Sequence, residues 1–185
     1  EPLTREKDRA RLAEAKAGSL DGAPLSVKAE LPEWVIDSLR AVHDDAAILA
    51  LGRALAQPAP LDVRVNVQKT NRDAVLDRLR AAGIAAQATP FSPWGIRIGQ
   101  PFELSRQALF KEGLVEVQDE GSQLLALLTG ARRGEMVADL CAGAGGKTLA
   151  LGAAMASTGR LYAFDISEKR LSKLSPRLKR SGLTN

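Results

Sequence analysis

A chain of 185 residues, 45% of them hydrophobic, has the length and apolar content of one globular domain or two small ones. Its 26 Lys and Arg against 22 Asp and Glu give a net charge of +4, which permits a nucleic-acid partner without requiring one. One cysteine excludes an internal disulfide, one cysteine plus one histidine cannot make the usual four-ligand zinc site, and no run is long enough for an apolar membrane span. The expectation is a cytoplasmic setting, with no metal and no membrane; the oligomeric state is not encoded in any pattern here.

Thr4 to Ala17, rich in charge and alanine, read as a helix, and GSLDGAP (Gly18 to Pro24) breaks it. Pro32 opens a second helix, LPEWVIDSLRAV, in which Trp34, Val35, Leu39 and Val42 form a helical apolar stripe. A third helix covers Ala46 to Ala56, and QPAPL (Gln57 to Leu61) ends this portion, giving a helical segment over 1–57. From Asp62 the period changes. Val63 and Val65 alternate with Arg64 and Asn66, as in a half-buried strand. Thr70 to Ala82 form an amphipathic helix with Gly83 as its C-cap. AAQATPF and GIRIG are two short strands around the turn Ser92 to Gly95. Pro101 to Leu109 read as a short helix and Leu114 to Val117 as a strand. The strand–helix–strand–strand order is roughly half of a ferredoxin-like or RNA-recognition-like α+β module over 58–117, without the aromatic signature that stacks bases. QDEGSQLLALL (Gln118 to Leu128) leads into the last portion, 118–185, with Ser122 as helix cap.

That last portion carries VADLCAGAGGKTLALG. Met136 to Leu140 form a short buried strand, Gly143, Gly145 and Gly146 a tight turn, and Thr148 to Met155 a helix. A phosphate loop requires its first glycine at position 141, which is Cys141. A dinucleotide fingerprint requires its third glycine at position 148, which is Thr148. Both matches are partial. Arg160 to Phe164 make a second strand that Asp165 ends, 22 positions after Gly143. A carboxylate there can accept both hydroxyls of a ribose, which suits an adenosine cofactor, either a nicotinamide dinucleotide or S-adenosylmethionine.

Cys141, with no histidine near it in sequence, is expected as a small buried hydrophobe beneath the loop. Lys147 in the first turn opposes the helix dipole, which suggests a nearby anionic partner. SEKRLSKLSPRLKR (Ser167 to Arg180) reads as a helix with a solvated basic side, disturbed by Pro176. Arg64, Lys69 and Lys111 are the RNA-phosphate candidates of the middle region.

DLCAGAGGKT closely resembles the cofactor loop of the Sun/Fmu-type RNA cytosine-5 methyltransferases, Asp-x-Cys-Ala-Ala-Pro-Gly-Gly-Lys-Thr. LPEWVIDSL, LDVRVNVQKTNRDAVLDRL, GLVEVQDEGSQLLALL and GRLYAFDISEKRL match further family signals in the family's order. The departures are Gly143, Ala144 and Pro176. The resemblance implies S-adenosyl-L-methionine bound along Cys141, Ala142, Gly143, Ala144, Gly145, Gly146 and Lys147, with Asp165 on the ribose and Arg170 nearby. It implies RNA, usually ribosomal, as substrate. The implied fold class is α/β: an incomplete Rossmann-like S-adenosylmethionine-dependent methyltransferase domain after a small RNA-recognition-like α+β domain and an N-terminal helical segment. Family members attack cytosine C6 with a cysteine thiolate and use a second cysteine in product release. Both lie in later motifs that this chain does not reach. Its start at Glu1 and end at Asn185 after two parallel strands suggest a piece of a longer polypeptide, inactive by itself. A non-catalytic RNA-binding or assembly module and a nicotinamide-dependent oxidoreductase remain as alternatives.

Overall fold

A computed structural model describes residues 18, 20–99 and 103–185. The helix expected over Thr4 to Ala17 lies outside the described residues, as does the start of the one expected from Pro101. The chain divides into two compact units, Glu1–Ala59 and Pro60–Asn185.

In the first unit, α1 (Leu25–Ala29), α2 (Glu33–Leu39) and α3 (Asp45–Leu55) follow one another. Pro24 and Pro32 precede α1 and α2 with φ of −55° and −60°, already near the helical value. Asp44 caps α3 by accepting from Ala47 N at 2.7 Å. Gly52 lets α3 pass close to α1, since a Cβ there would overlap Ala29 O. The apolar stripe expected on the second helix is not the buried one. Trp34 and Val42 are 73% and 74% exposed, and Ile36 is fully buried. The helix stops at Leu39, so Val42 is not on it, and Ile36 takes the inward position.

The second unit begins with β1 (Leu61–Val65), α4 (Arg72–Ala81), β2 (Ala86–Ala88), β3 (Gly95–Ile98), a 3-10 turn (Leu104–Arg106), α5 (Ala108–Lys111) and β4 (Val115–Val117). The strand order is β2-β3-β1-β4, every neighbour antiparallel, with Val63 opposite Ile96 and Val117. This is a full ferredoxin-like βαββαβ module, not half of one; its second helix is reduced to the 3-10 turn and one turn of α5. Asn71 caps α4 by accepting from Ala74 N at 2.9 Å. Val63, Val65, Val75, Leu79, Ile96, Ile98, Leu104, Leu109 and Val115 fill the core under the helices.

The polar face of β1 departs from expectation. Asp62, Arg64 and Asn66 are buried along with the valines. The reason lies in the remainder of the unit, which covers that face: Arg64 Nε donates to Gln118 Oε1 at 2.7 Å, and Asn66 Nδ2 donates to Ser181 O at 2.9 Å. Asp62 takes a bidentate pair of hydrogen bonds from Arg97, at 2.7 and 2.8 Å.

Helix α6 (Glu120–Leu128) follows. Its cap is Asp119, which accepts from Ser122 N at 2.9 Å, so Ser122 supplies an amide and is not itself the cap. Strands β5 (Met136–Asp139) and β6 (Arg160–Ala163) pair in parallel, with Val137 opposite Leu161, and α7 (Gly146–Ala154) connects them. Val137 and Leu161 pack with Ala126, Ala150 and Leu151. Met136, Leu140, Tyr162 and Phe164 are exposed. The late basic segment is two helices, α8 (Glu168–Leu171) and α9 (Leu174–Ser181). Pro176 therefore sits in the first turn of α9, where a missing N–H costs no intrahelical bond. No helix among the described residues is long and apolar enough to cross a membrane.

Candidate cofactor site

The loop between β5 and α7 is held from four sides. Gly143 and Gly145 have φ of +54° and +84°, the left-handed region that glycine enters without steric cost. A Cβ on Gly145 would overlap Leu174 Cδ1, so the turn also needs the space. Ala142 N donates to Phe164 O at 2.9 Å, extending the pairing of the two strands into the loop. Asp139, the last residue of β5, accepts from Thr148 Oγ1 at 2.7 Å and from Cys141 N at 3.3 Å. It thereby joins both ends of the turn.

Asp165 accepts from Ser167 N and Gly143 N, both at 2.8 Å, through different carboxylate oxygens. These backbone donors, Ser167 first and Gly143 next, hold its carboxyl below the ordinary 3.8, and Arg170 adds attraction. Arg170 lies over Gly143, with Nη2 2.8 Å from where a Cβ would stand. Arg177 Nη1 donates to Ala144 O at 2.6 Å.

The loop forms one wall of a cavity of about 270 Å³, and the opposite wall is Val117, Gln118, Asp119 and Ser122 from the β4–α6 junction. Cys141 to Ala144, Gly146, Lys147, Arg170 and Arg177 complete it. Hydrogen bonds from Ser122, and more weakly the charge of Lys147, keep the Asp119 carboxyl below 3.8. A cation and an anion thus share this small cavity. Three larger clefts lie elsewhere among the described residues of the same unit, the smallest of them about 440 Å³ and lined by Ser175, Leu178 and Leu183. One of about 590 Å³ follows β2 and β3, and one of about 580 Å³ is lined by Lys69, Phe110, Lys111, Lys179 and Arg180. Opposite charges also meet in the 580 Å³ cleft, where Glu112 joins the cations. What sets the smaller cavity apart is the strand, glycine turn and helix backbone that walls it, and size alone does not outweigh that.

Several expected residues converge here: Cys141, Ala142, Gly143, Ala144, Gly146, Lys147 and Arg170 line the cavity. Gly145 and Asp165 stand behind it, as the turn's hinge and its buttress. Cys141 differs from its expected burial: it is exposed, because Ala142 takes the inward position through its bond to Phe164 O. The RNA candidates do not all converge: Lys69 and Lys111 line one cleft, away from the loop, and Arg64 is not part of it. Arg64 is 2% exposed, and burial pushes its pKa down to about 10, so it is an internal group and not a surface phosphate contact. Lys69 Nζ is engaged by Glu112 O and Arg180 O, at 2.8 and 2.7 Å, while Lys111 is exposed. Asp119, Asp139 and Arg177 were missed. For Asp139 the signal was its place at the head of the glycine loop. Asp119 stood three residues before Ser122 in a helix-start pattern. For Arg177 the sequence offered none.

Two family models match the chain in succession: "Methyltr_RsmF/B-like, ferredoxin-like domain" over residues 31–105 and "16S rRNA methyltransferase RsmB/F" over residues 126–185. The chain belongs to the RsmB/F methyltransferase family. A relative in Pseudomonas syringae pv. tomato, ribosomal RNA small subunit methyltransferase B, is 34% identical over 157 residues, which are 85% of this chain and 35% of that protein. The solved structure of PH0851 superposes with a TM-score of 0.80 at 29% identity, covering 86% of this chain and 36% of that one. A methyltransferase homolog protein from Pyrococcus horikoshii gives 0.70 at 28% identity, covering 84% and 55%. This RsmB/F-family chain spans about a third of the length of the curated relatives it matches. Its fold is a ferredoxin-like domain followed by part of a methyltransferase domain.

Proposed function

We propose that the loop Cys141–Lys147 and Asp165 hold S-adenosyl-L-methionine, and that the whole protein methylates C5 of cytosine in small-subunit ribosomal RNA. The observation that carries this reading is the cavity itself: the left-handed Gly143, Lys147 and Asp119 face it, and Gly145 and Asp165 stand behind it. The fit to the cofactor is chemical. Lys147 offers a donor for the methionine carboxylate and Asp119 an acceptor for its ammonium. The Asp165 oxygens each keep a lone pair for the ribose beyond those given to the Gly143 and Ser167 amides. Glycine at 143 lets the main chain come close to the ligand. Bound S-adenosylmethionine supplies an electrophilic methyl group. This chain's residues bind and orient it, and the cysteine chemistry at the base belongs to the rest of the whole protein. The similarity to ribosomal RNA small subunit methyltransferase B supports an RNA substrate.

Calorimetry on the 185-residue chain with S-adenosylhomocysteine, ATP and NAD tests the cofactor. Heat with the first and none with the other two is the expected result. Binding of NAD in its place would revive an oxidoreductase.

A further inference from the structure

We infer that Arg177 is a positioning residue that ties the main chain of the cofactor loop to the ferredoxin-like sheet, so that the sheet helps to set the shape of the site. This deepens the cofactor reading above and rests on it. One guanidinium spans both structures. Its Nη1 donates to Ala144 O at 2.6 Å, between the two left-handed glycines. Its Nε and Nη2 lie 3.1 and 3.0 Å from Glu116 Oε2. Glu116 is a β4 residue, 4% exposed, opposite Arg64 in the sheet register. Its other oxygen is taken by Arg180, whose guanidinium sits 4.1 Å above the Phe110 ring. Glu116 is therefore fixed by the sheet, by Arg180 and by burial, and it fixes Arg177 in turn.

The planar fork of arginine suits this work. It can place one N–H on the loop while two others engage a carboxylate, which a lysine ammonium on a flexible stem cannot do in the same geometry. The same β4 strand leads directly into Gln118 and Asp119 on the opposite cavity wall. Through Arg177 the two walls are referenced to one strand. A surface ion pair would do none of this, because water would compete for both groups. Here the Arg177 and Glu116 side chains are only 20% and 5% exposed.

Hydrogen exchange on the ligand-free 185-residue chain tests the link, with S-adenosylhomocysteine titration as a second reading. Arg177→Gln and Glu116→Gln should each speed exchange at Ala142, Gly143 and Gly145 by about tenfold, the scale of one lost charge-assisted bond. The Val65 amide, which donates to Trp94 O, should keep its rate. The dissociation constant should rise by a similar factor, and Arg177→Lys should fall between. Asp62→Ala, which removes the Asp62–Arg97 pair of the sheet and touches neither α9 nor the loop, is the control: it should raise exchange broadly. The inference is overturned if either glutamine variant leaves loop exchange unchanged, or raises it uniformly as the control does. Failure of the wild-type chain to bind S-adenosylhomocysteine would count against the cofactor reading alone, since the exchange rates still decide the link.

Discussion

Asn66 Nδ2 lies 2.9 Å from both Gly113 O and Ser181 O, so one buried amide, 115 residues before Ser181 in the chain, fastens the end of α9 to the start of β4. The last carbonyls of a helix have no partner within it, and the negative end of the dipole favours a cation there. Asn66 and Lys69 supply both needs, Lys69 at Arg180 O. Gly113, with φ of +70°, is where the two segments touch, and a Cβ there would overlap Arg180 O. Asn66→Leu should lower stability by about 1–3 kcal/mol, the cost of leaving a buried polar group unpaired. Lys69→Met should cost less, about 0.3–1 kcal/mol, because its ammonium is exposed. Urea unfolding of both variants measures the difference, and the reverse ranking would contradict this account.

The Asp62–Arg97 pair should respond unequally to its two truncations. The Asp62 side chain is 3% exposed and that of Arg97 35%. Arg97→Ala leaves a buried carboxylate without its counter-charge, a loss of about 3–5 kcal/mol. Asp62→Ala leaves a guanidinium that can turn toward water, and about 1 kcal/mol is the expected loss. Thermal or urea unfolding of the two variants side by side checks the asymmetry. Equal losses would mean that the carboxylate finds water too.

What the sequence made legible was what local pattern controls. The period-two run at Val63 and Val65, the glycine cap at Gly83, and the loop from Cys141 to Lys147 all specify their own conformation within a few residues. Two strands and a helix around a glycine turn need no distant partner to be recognised. The polar face of β1 was different. Arg64 in alternation with valines reads as solvent-facing, and only the arrival of Gln118 and Ser181 from far along the chain buries that face. Arg177 is the same case, since its partners Glu116 and Ala144 are 61 and 33 residues away. Residues whose surroundings are assembled by the fold carry no periodic signal. The basic segment Ser167 to Arg180 thus looked like a solvated surface, while two of its arginines hold a buried glutamate.

Asp165 predicts the direction of an acid effect. Its carboxyl titrates below 3.8 in the folded chain because the Ser167 and Gly143 amides favour the charged form. A group whose folded pKa is depressed contributes stability that is present above its unfolded value. That contribution is lost as the pH falls through the folded value. Asp165→Asn should therefore be less stable than wild type at pH 7, and the gap should close as the pH is lowered from about 4 toward 2. Asp119, also depressed, leaves part of the acid sensitivity in the variant. Thermal midpoints of both chains across that range test the sign. A gap that widens on acidification would show that Asp165 is not held as an anion by the loop.

Cys141 gives a direct reading of the cavity. It is the chain's single cysteine, it is exposed, and it lines the cavity beside Ala142 and Lys147. A thiol reacts through its thiolate and only where reagent can reach it. A maleimide should therefore label the folded chain without any opening of the structure, and the rate should not change in mild urea below the unfolding transition. S-adenosylhomocysteine, if it occupies this cavity, should cover the sulfur. At a ligand concentration ten times its dissociation constant, labelling should slow by about tenfold, because only the free fraction reacts. ATP at the same concentration should leave the rate unchanged. Cys141→Ser should alter stability by no more than about 0.5 kcal/mol, the usual range for an exposed position. Two results would contradict this placement: labelling that appears only as the chain unfolds, which would return the sulfur to a buried position beneath the loop, or S-adenosylhomocysteine that binds by calorimetry without slowing the reaction, which would put the ligand somewhere other than against Cys141.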